Sequence, residues 1–206
     1  MLILCSNGLT SEKLLASVRE RAIDCKLAAV VVTADNEYKE KNYHVQRCVE
    51  ELKSLNLTVD LFDIDKQPAE LLVHYDIVEF IGGNPFYLLH SIRENNALNT
   101  LRYLAEHKIL IGWSAAAFVF SPTLELVNIY SSEMNFLGLT DLSGIALTDV
   151  EVLPHYDRFK KKFERFEERC REYEEKRNVQ VIRLNDGEGI LIDGEEISVC
   201  RIETTV

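Results

Sequence analysis

Residues 108–117 read Lys-Ile-Leu-Ile-Gly-Trp-Ser-Ala-Ala-Ala. Ile109, Leu110 and Ile111 form a short apolar run of the kind a buried strand uses. They lead straight into Gly112-Trp113-Ser114, and the small residues Ala115, Ala116 and Ala117 can begin a helix. A sharp strand-to-helix turn of this type pushes one hydroxyl out of the backbone and points the following amide at the same space. Small neighbours are needed because strand and helix approach closely there. The G-x-S-x-G pattern is incomplete, since Ala116 stands where a second glycine is usual. The competing reading is a serine at an ordinary strand–helix junction.

Working outward, apolar runs at 2–5, 28–33, 57–62 and 77–81 read as further strands. Between them, 10–22, 40–55, 85–106 and 114–120 carry helical spacing, with a break in the third near Asn95-Asn96. The run 28–33 is continuous in small and β-branched apolar residues, as expected when both faces of a strand are covered. This alternation predicts a three-layer α/β fold, a mostly parallel sheet flanked by helices. Beyond residue 123 the pattern predicts short strands at 125–130 and 150–153, then one long helix over 156–177. That helix has an apolar stripe of Tyr156, Phe159, Phe163, Phe166, Cys170 and Tyr173. Residues 179–184 and 189–199 close the chain, with Asp193-Gly194 signalling a C-terminal β-hairpin. No linker interrupts the pattern, so residues 1–206 read as a single domain.

Composition narrows the function. The 206 residues are 47% hydrophobic and 28% charged, the mixture of a globular chain. A net charge of −11 argues against sequence-independent binding of nucleic acid, which relies on Lys and Arg against phosphates. The one basic run, Arg158 to Lys162, reads as the solvated face of a helix. No apolar run suits a membrane span, and the N-terminus lacks an export signal. Cys5, Cys25, Cys48, Cys170 and Cys200 are odd in number and widely spaced. That disfavours a disulfide framework or zinc site and makes a reducing cytoplasm the expected compartment.

A serine nucleophile needs a base. His155 lies in Leu153-Pro154-His155-Tyr156, on a loop stiffened by proline, whereas His44, His74, His90 and His107 fall within helical patterns and read as surface or packing residues. A second turn, Ile81-Gly82-Gly83-Asn84-Pro85-Phe86, follows the strand at 77–81. Asn84 suits a helix N-cap and Pro85 the first helical position. The two glycines permit close backbone approach, so this turn is either a tight junction or a source of an oxyanion donor beside the Ala115 amide.

Three segments in order, Gly82-Gly83-Asn84-Pro85-Phe86-Tyr87-Leu88-Leu89, Gly112-Trp113-Ser114-Ala115-Ala116-Ala117 and Leu153-Pro154-His155-Tyr156, resemble the motifs of the peptidase E (aspartyl dipeptidase) family, which includes cyanophycinase. The resemblance runs from the first strand to the C-terminal hairpin. It implies a sheet like that of class I glutamine amidotransferases, with Ser114 as nucleophile and His155 as general base. The oxyanion and substrate-binding turn would comprise Gly82, Gly83, Asn84 and Ala115. A late family segment matches Arg183-Leu184-Asn185-Asp186-Gly187, making Asp186 the triad carboxylate. Asp186 read without the family is equally a turn aspartate before glycine, and Glu133, Asp149 and Glu151 are further carboxylates. The expected activity is hydrolysis of short peptides, dipeptides with an N-terminal aspartate, by a monomer or homodimer without cofactor or metal. Two other classes stay open: a non-catalytic member that binds a ligand or partner, and a serine hydrolase of another ester or isopeptide. Chain order, serine before histidine before acid, separates this pattern from an ordinary α/β-hydrolase.

Overall fold

The computed structural model describes residues 1–201. Its strands are β1 (Leu2–Cys5), β2 (Leu27–Val31), β3 (Thr58–Phe62), β4 (Ile77–Phe80), β5 (Ile109–Trp113), the separate pair β6 (Glu151–Leu153) and β7 (Val181–Arg183), then β8 (Gly189–Asp193) and β9 (Glu196–Cys200). The helices are α1 (Glu12–Arg21), α2 (Val45–Lys53), α3 (Pro85–Glu94), α4 (Leu98–His107), α5 (Ala115–Phe120), α6 (Glu125–Tyr130), α7 (Tyr156–Lys162) and α8 (Phe166–Arg177). The central sheet runs β3-β2-β4-β5-β1-β8-β9. Its first five strands pair in parallel, and β8 and β9 add an antiparallel edge. The mostly parallel sheet with helices on both faces is therefore as the sequence predicts.

Alternation within each strand divides the core. Leu2 and Leu4 join Val31, Val78, Phe80 and Leu110 on one face. Ile3 and Cys5 join Val30, Ile77, Ile111 and Trp113 on the other. Both faces are apolar because helices cover both, which is why these strands read as continuous hydrophobic runs. Strands β4, β5 and β1 lie side by side, so their carboxyl ends bring Gly82-Gly83, Ser114 and Ser6 to one rim. Such a rim is where open α/β sheets hold their ligands.

Several expected elements differ. Residues 125–130 form helix α6 rather than a strand, because Leu126, Val127 and Tyr130 bury one helical face and Thr123 Oγ1 accepts the Glu125 N–H at 3.1 Å. The long helix over 156–177 is two helices. Phe163 is extended and Arg165 takes a left-handed conformation at φ 49°. The break gathers Phe159, Phe163 and Phe166 around the Tyr130 ring, at centroid distances of 5.2, 5.1 and 5.1 Å. Residues 40–55 likewise split into a short 3-10 turn, Lys39–Lys41, and α2. In the hairpin, Asp193 pairs with Glu196, so the turn is Gly194-Glu195, with Gly194 supplying the positive φ of 61°. Among the described residues no helix is long and apolar enough to cross a membrane.

Candidate active site

Ser114 sits between β5 and α5 at φ 53° and ψ −111°, a conformation that non-glycine residues adopt only under constraint. Strain of this kind costs on the order of 1–3 kcal/mol, and buried neighbours must hold it. The Ser114 N–H donates to the Cys5 carbonyl at 3.2 Å, and Ala115 to Phe120 are all buried. Across the rim, Gly82 and Gly83 are dictated by space. A Cβ on Gly82 would stand 2.6 Å from the Trp113 ring and 2.9 Å from Ser114 Cβ. A Cβ on Gly83, at φ 154°, would stand 2.3 Å from the Ala34 carbonyl oxygen. Neither the Gly83 nor the Ala115 amide donates to a backbone carbonyl among the described residues, so both are open to a ligand.

His155 follows β6 in a left-handed conformation, φ 56°, and its ring reaches the Ser114 hydroxyl. Its Nε2 lies 3.0 Å from Ser114 Oγ, and its Nδ1 lies 2.6 Å from Asp186 Oδ1. A carboxylate accepting from Nδ1 fixes the proton there and leaves Nε2 as an acceptor for the serine hydroxyl. Burial alone would raise the Asp186 pKa. The hydrogen bond from His155, its charge, the Ser6 hydroxyl and the Arg158 guanidinium outweigh it and bring the carboxyl down to about 2.

Ser6, fully buried after β1, completes the arrangement. Its Oγ donates to Asp186 Oδ1 at 2.8 Å and accepts the His155 backbone N–H at 2.9 Å. Asn7 Oδ1 accepts the Gly187 N–H at 2.8 Å, which ties the Asp186 loop to the same strand end. Ser6 and Asn7 belong to no motif of the sequence. Their position just past the carboxyl end of the first strand was the available signal.

Two cavities meet at Ser114. One, of about 420 Å³, is polar and lined by Asn7, His44, Trp113, His155, Arg158 and Asp186. Arg158 is thus a site-lining cation, not merely part of a solvated face, with Nη1 3.3 Å from Asp186 Oδ2. His44 also lines the site, its ring edge-on to Trp113 at 5.3 Å. The other cavity, of about 200 Å³, is walled by Phe118, Val127, Tyr130, Met134, Phe159 and Phe163. The Tyr130 hydroxyl is buried there without a hydrogen-bond partner.

Of the expected residues, Ser114, His155, Asp186, Gly82, Gly83 and Ala115 share the rim. Asn84 is otherwise engaged: its Oδ1 accepts the Phe86 and Tyr87 amides at the start of α3, and its Nδ2 donates to the Met134 carbonyl at 2.7 Å. It lines neither cavity at Ser114. Of the other carboxylates, Glu151 accepts the Tyr173 hydroxyl at 2.6 Å and makes no contact with His155.

The fold is α/β with serine, histidine and aspartate side chains in line at the sheet rim, and comparison with known proteins gives its family. A profile described as Peptidase family S51 matches residues 2–200, and the chain belongs to that family. An uncharacterized peptidase of Listeria monocytogenes, Lmo0363, is 28% identical over 190 residues, covering 89% of this chain and 90% of the relative. Peptidase E of a Nostoc species is 26% identical over 129 residues, covering 62% of this chain and 49% of its own length. A crystal structure described as a candidate peptidase E protein of Listeria monocytogenes EGD-e has a TM-score of 0.80 at 25% identity and covers 98% of either chain. The chain is therefore a hydrolase of the peptidase class.

Proposed function

We propose that this protein is a serine peptidase that hydrolyses short peptides through an acyl-enzyme, with Ser114 as nucleophile, His155 as general base and Asp186 as orienting acid. The observation that carries the reading is the continuous line from Ser114 Oγ to His155 Nε2 at 3.0 Å and from His155 Nδ1 to Asp186 Oδ1 at 2.6 Å. Ser114 Oγ attacks the scissile carbonyl carbon while its proton passes to His155 Nε2. The C–N bond then breaks, and that proton leaves with the departing amine. Water attacks the resulting ester, His155 Nε2 takes its proton, and the acid is released as the proton returns to Ser114 Oγ. Asp186 holds the imidazole in the tautomer that accepts at Nε2 and stabilises the imidazolium between steps. The amides of Gly83 and Ala115 are the donors for the developing oxyanion.

Substrates on this reading are dipeptides with an N-terminal aspartate. Arg158 supports it, as the cation lining the polar cavity of a strongly acidic protein. A cytoplasmic location and a monomer or homodimer belong to the same proposal. The test is a panel of Asp-X dipeptides beside their Asn-X counterparts, with β-aspartyl peptides and nitrophenyl esters as alternatives. Faster cleavage of Asp-X supports the proposal. Equal rates on Asp-X and Asn-X, or turnover of esters alone, contradict the specificity.

A further inference from the structure

Behind the elbow lies a buried polar cluster that the reaction does not use directly. Glu79 occupies the middle of β4, opposite Ile111 of β5 and Val30 of β2, and is wholly inaccessible. Its Oε1 accepts the indole N–H of Trp113 at 3.0 Å, and Trp113 is the residue immediately before Ser114. Its Oε2 is buried without a partner, as is Oε2 of Glu51 on α2. One oxygen of each carboxyl and Cys48 Sγ lie within 4.8 Å of one another. Arg47 closes the group: Nη1 donates to Glu51 Oε1 at 3.0 Å, Nη2 to the Asn7 carbonyl at 2.8 Å, and the guanidinium lies 5.6 Å from the Trp113 ring.

We propose that Glu79 and Glu51 share one proton, and that Glu79 is a positioning residue that holds Trp113 and, through it, the strained turn at Ser114. Two carboxylates this close, one wholly buried and the other mostly so, cannot both be charged at modest cost, so one keeps its proton. A proton held by the pair removes one of two buried negative charges, and the one that remains is balanced by Arg47. The other groups facing the pair add no charge: Cys48 and Cys5 are thiols whose pKa values burial pushes up. His44, packed on Trp113, has its pKa lowered, by burial first and by Arg47 second. Burial and then the charge of Glu51 raise the Glu79 carboxyl to about 7, with Arg47 opposing in part. Near neutrality the shared proton is therefore lost, the two carboxylates repel, and the support beneath Trp113 loosens.

Trp113 is the chain's single tryptophan, so its fluorescence reads this contact without labelling. The experiment is emission against pH for the wild-type protein, Glu79→Gln and Glu51→Gln, with near-ultraviolet circular dichroism to confirm folding. The emission of the wild type should shift with a midpoint near 7, and Glu79→Gln, which keeps the acceptor for Trp113 but cannot ionise, should abolish that midpoint. Glu79→Leu should lower kcat about tenfold, the loss of one buried hydrogen bond to Trp113, with KM little changed. The kinetic arm rests on Ser114 being the nucleophile, whereas the emission arm stands without it. A midpoint that survives in Glu79→Gln overturns the shared proton, and a normal kcat in a folded Glu79→Leu overturns the positioning role. An emission change on adding Zn²⁺ that Glu79→Gln abolishes would make the cluster a metal site and overturn the proposal also.

Discussion

His155 Nε2 stands 3.0 Å from Ser114 Oγ although forty-one positions separate them in the chain. The approach is built from both sides. The Ser114 backbone is held at a positive φ by the carbonyl of Cys5 and the closely packed start of α5, and the left-handed backbone of His155 turns its ring towards the sheet rim. Both residues are anchored to the end of β1, Ser114 through Cys5 and His155 through Ser6. Ser114→Ala should leave the fold intact and reduce peptide turnover by on the order of 10⁴-fold or more, measured as kcat on the best dipeptide.

Removing the charge of the acid without its shape tests the tautomer argument. Asp186→Asn can donate to Nδ1 and so favours the wrong imidazole tautomer, which should lower kcat on the order of 10³–10⁴-fold with KM little changed. Titration of the wild type should find the Asp186 carboxyl well below the usual range, about 2. A lowered pKa contributes stability above the unfolded value of 3.8 that is lost as pH falls through about 2. The stability advantage of wild type over Asp186→Asn should therefore be complete above that window and vanish as pH falls through it, as read by circular dichroism.

Ser6→Ala removes a donor to Asp186 Oδ1 and leaves the buried His155 N–H without its acceptor. An orphaned buried donor costs about 1–3 kcal/mol, visible as a lower denaturant midpoint. The same change frees the Asp186–His155 pair to tilt, so kcat should fall alongside stability.

How much of this was legible in the sequence follows the range of the forces involved. The elbow announced itself because strand, turn and helix start are contiguous, and the glycine pair because its backbone demands act locally. His155 stood out through Pro154. Asp186 was legible only through its likeness to a family segment, since nothing near Gly187 reveals a partner thirty-one positions earlier. Ser6, Arg158 and His44 were missed because their roles arise from which strands lie side by side. Helix α6 was mistaken for a strand because a short apolar run carries either period, and only its packing against Phe159 and Phe163 decides.

Arg158 is mostly exposed, with 68% of its side chain open to solvent, so its contribution should appear in substrate selection rather than in stability. Arg158→Ala should lower kcat/KM for Asp-X dipeptides about ten- to a hundredfold, the range of one charge-assisted hydrogen bond, and should affect Asn-X several-fold less. Equal losses on both would assign Arg158 to Asp186 rather than to the substrate.

Glu79 gives the stability profile the opposite sign. Its folded pKa of about 7 exceeds the unfolded 4.5, so its contribution is complete below 4.5 and is lost as pH rises through about 7. The difference corresponds to at most about 3 kcal/mol. Chemical denaturation of wild type and Glu79→Gln across that interval should show the slope in the first and its loss in the second.

The most direct measurement is mass spectrometry after exposure to a serine-directed fluorophosphonate. A single adduct should form on the peptide containing Ser114, absent from Ser114→Ala and greatly slowed in His155→Ala. A protein that hydrolyses peptides while Ser114 stays unmodified, or that is labelled equally well without His155, would contradict the proposed triad.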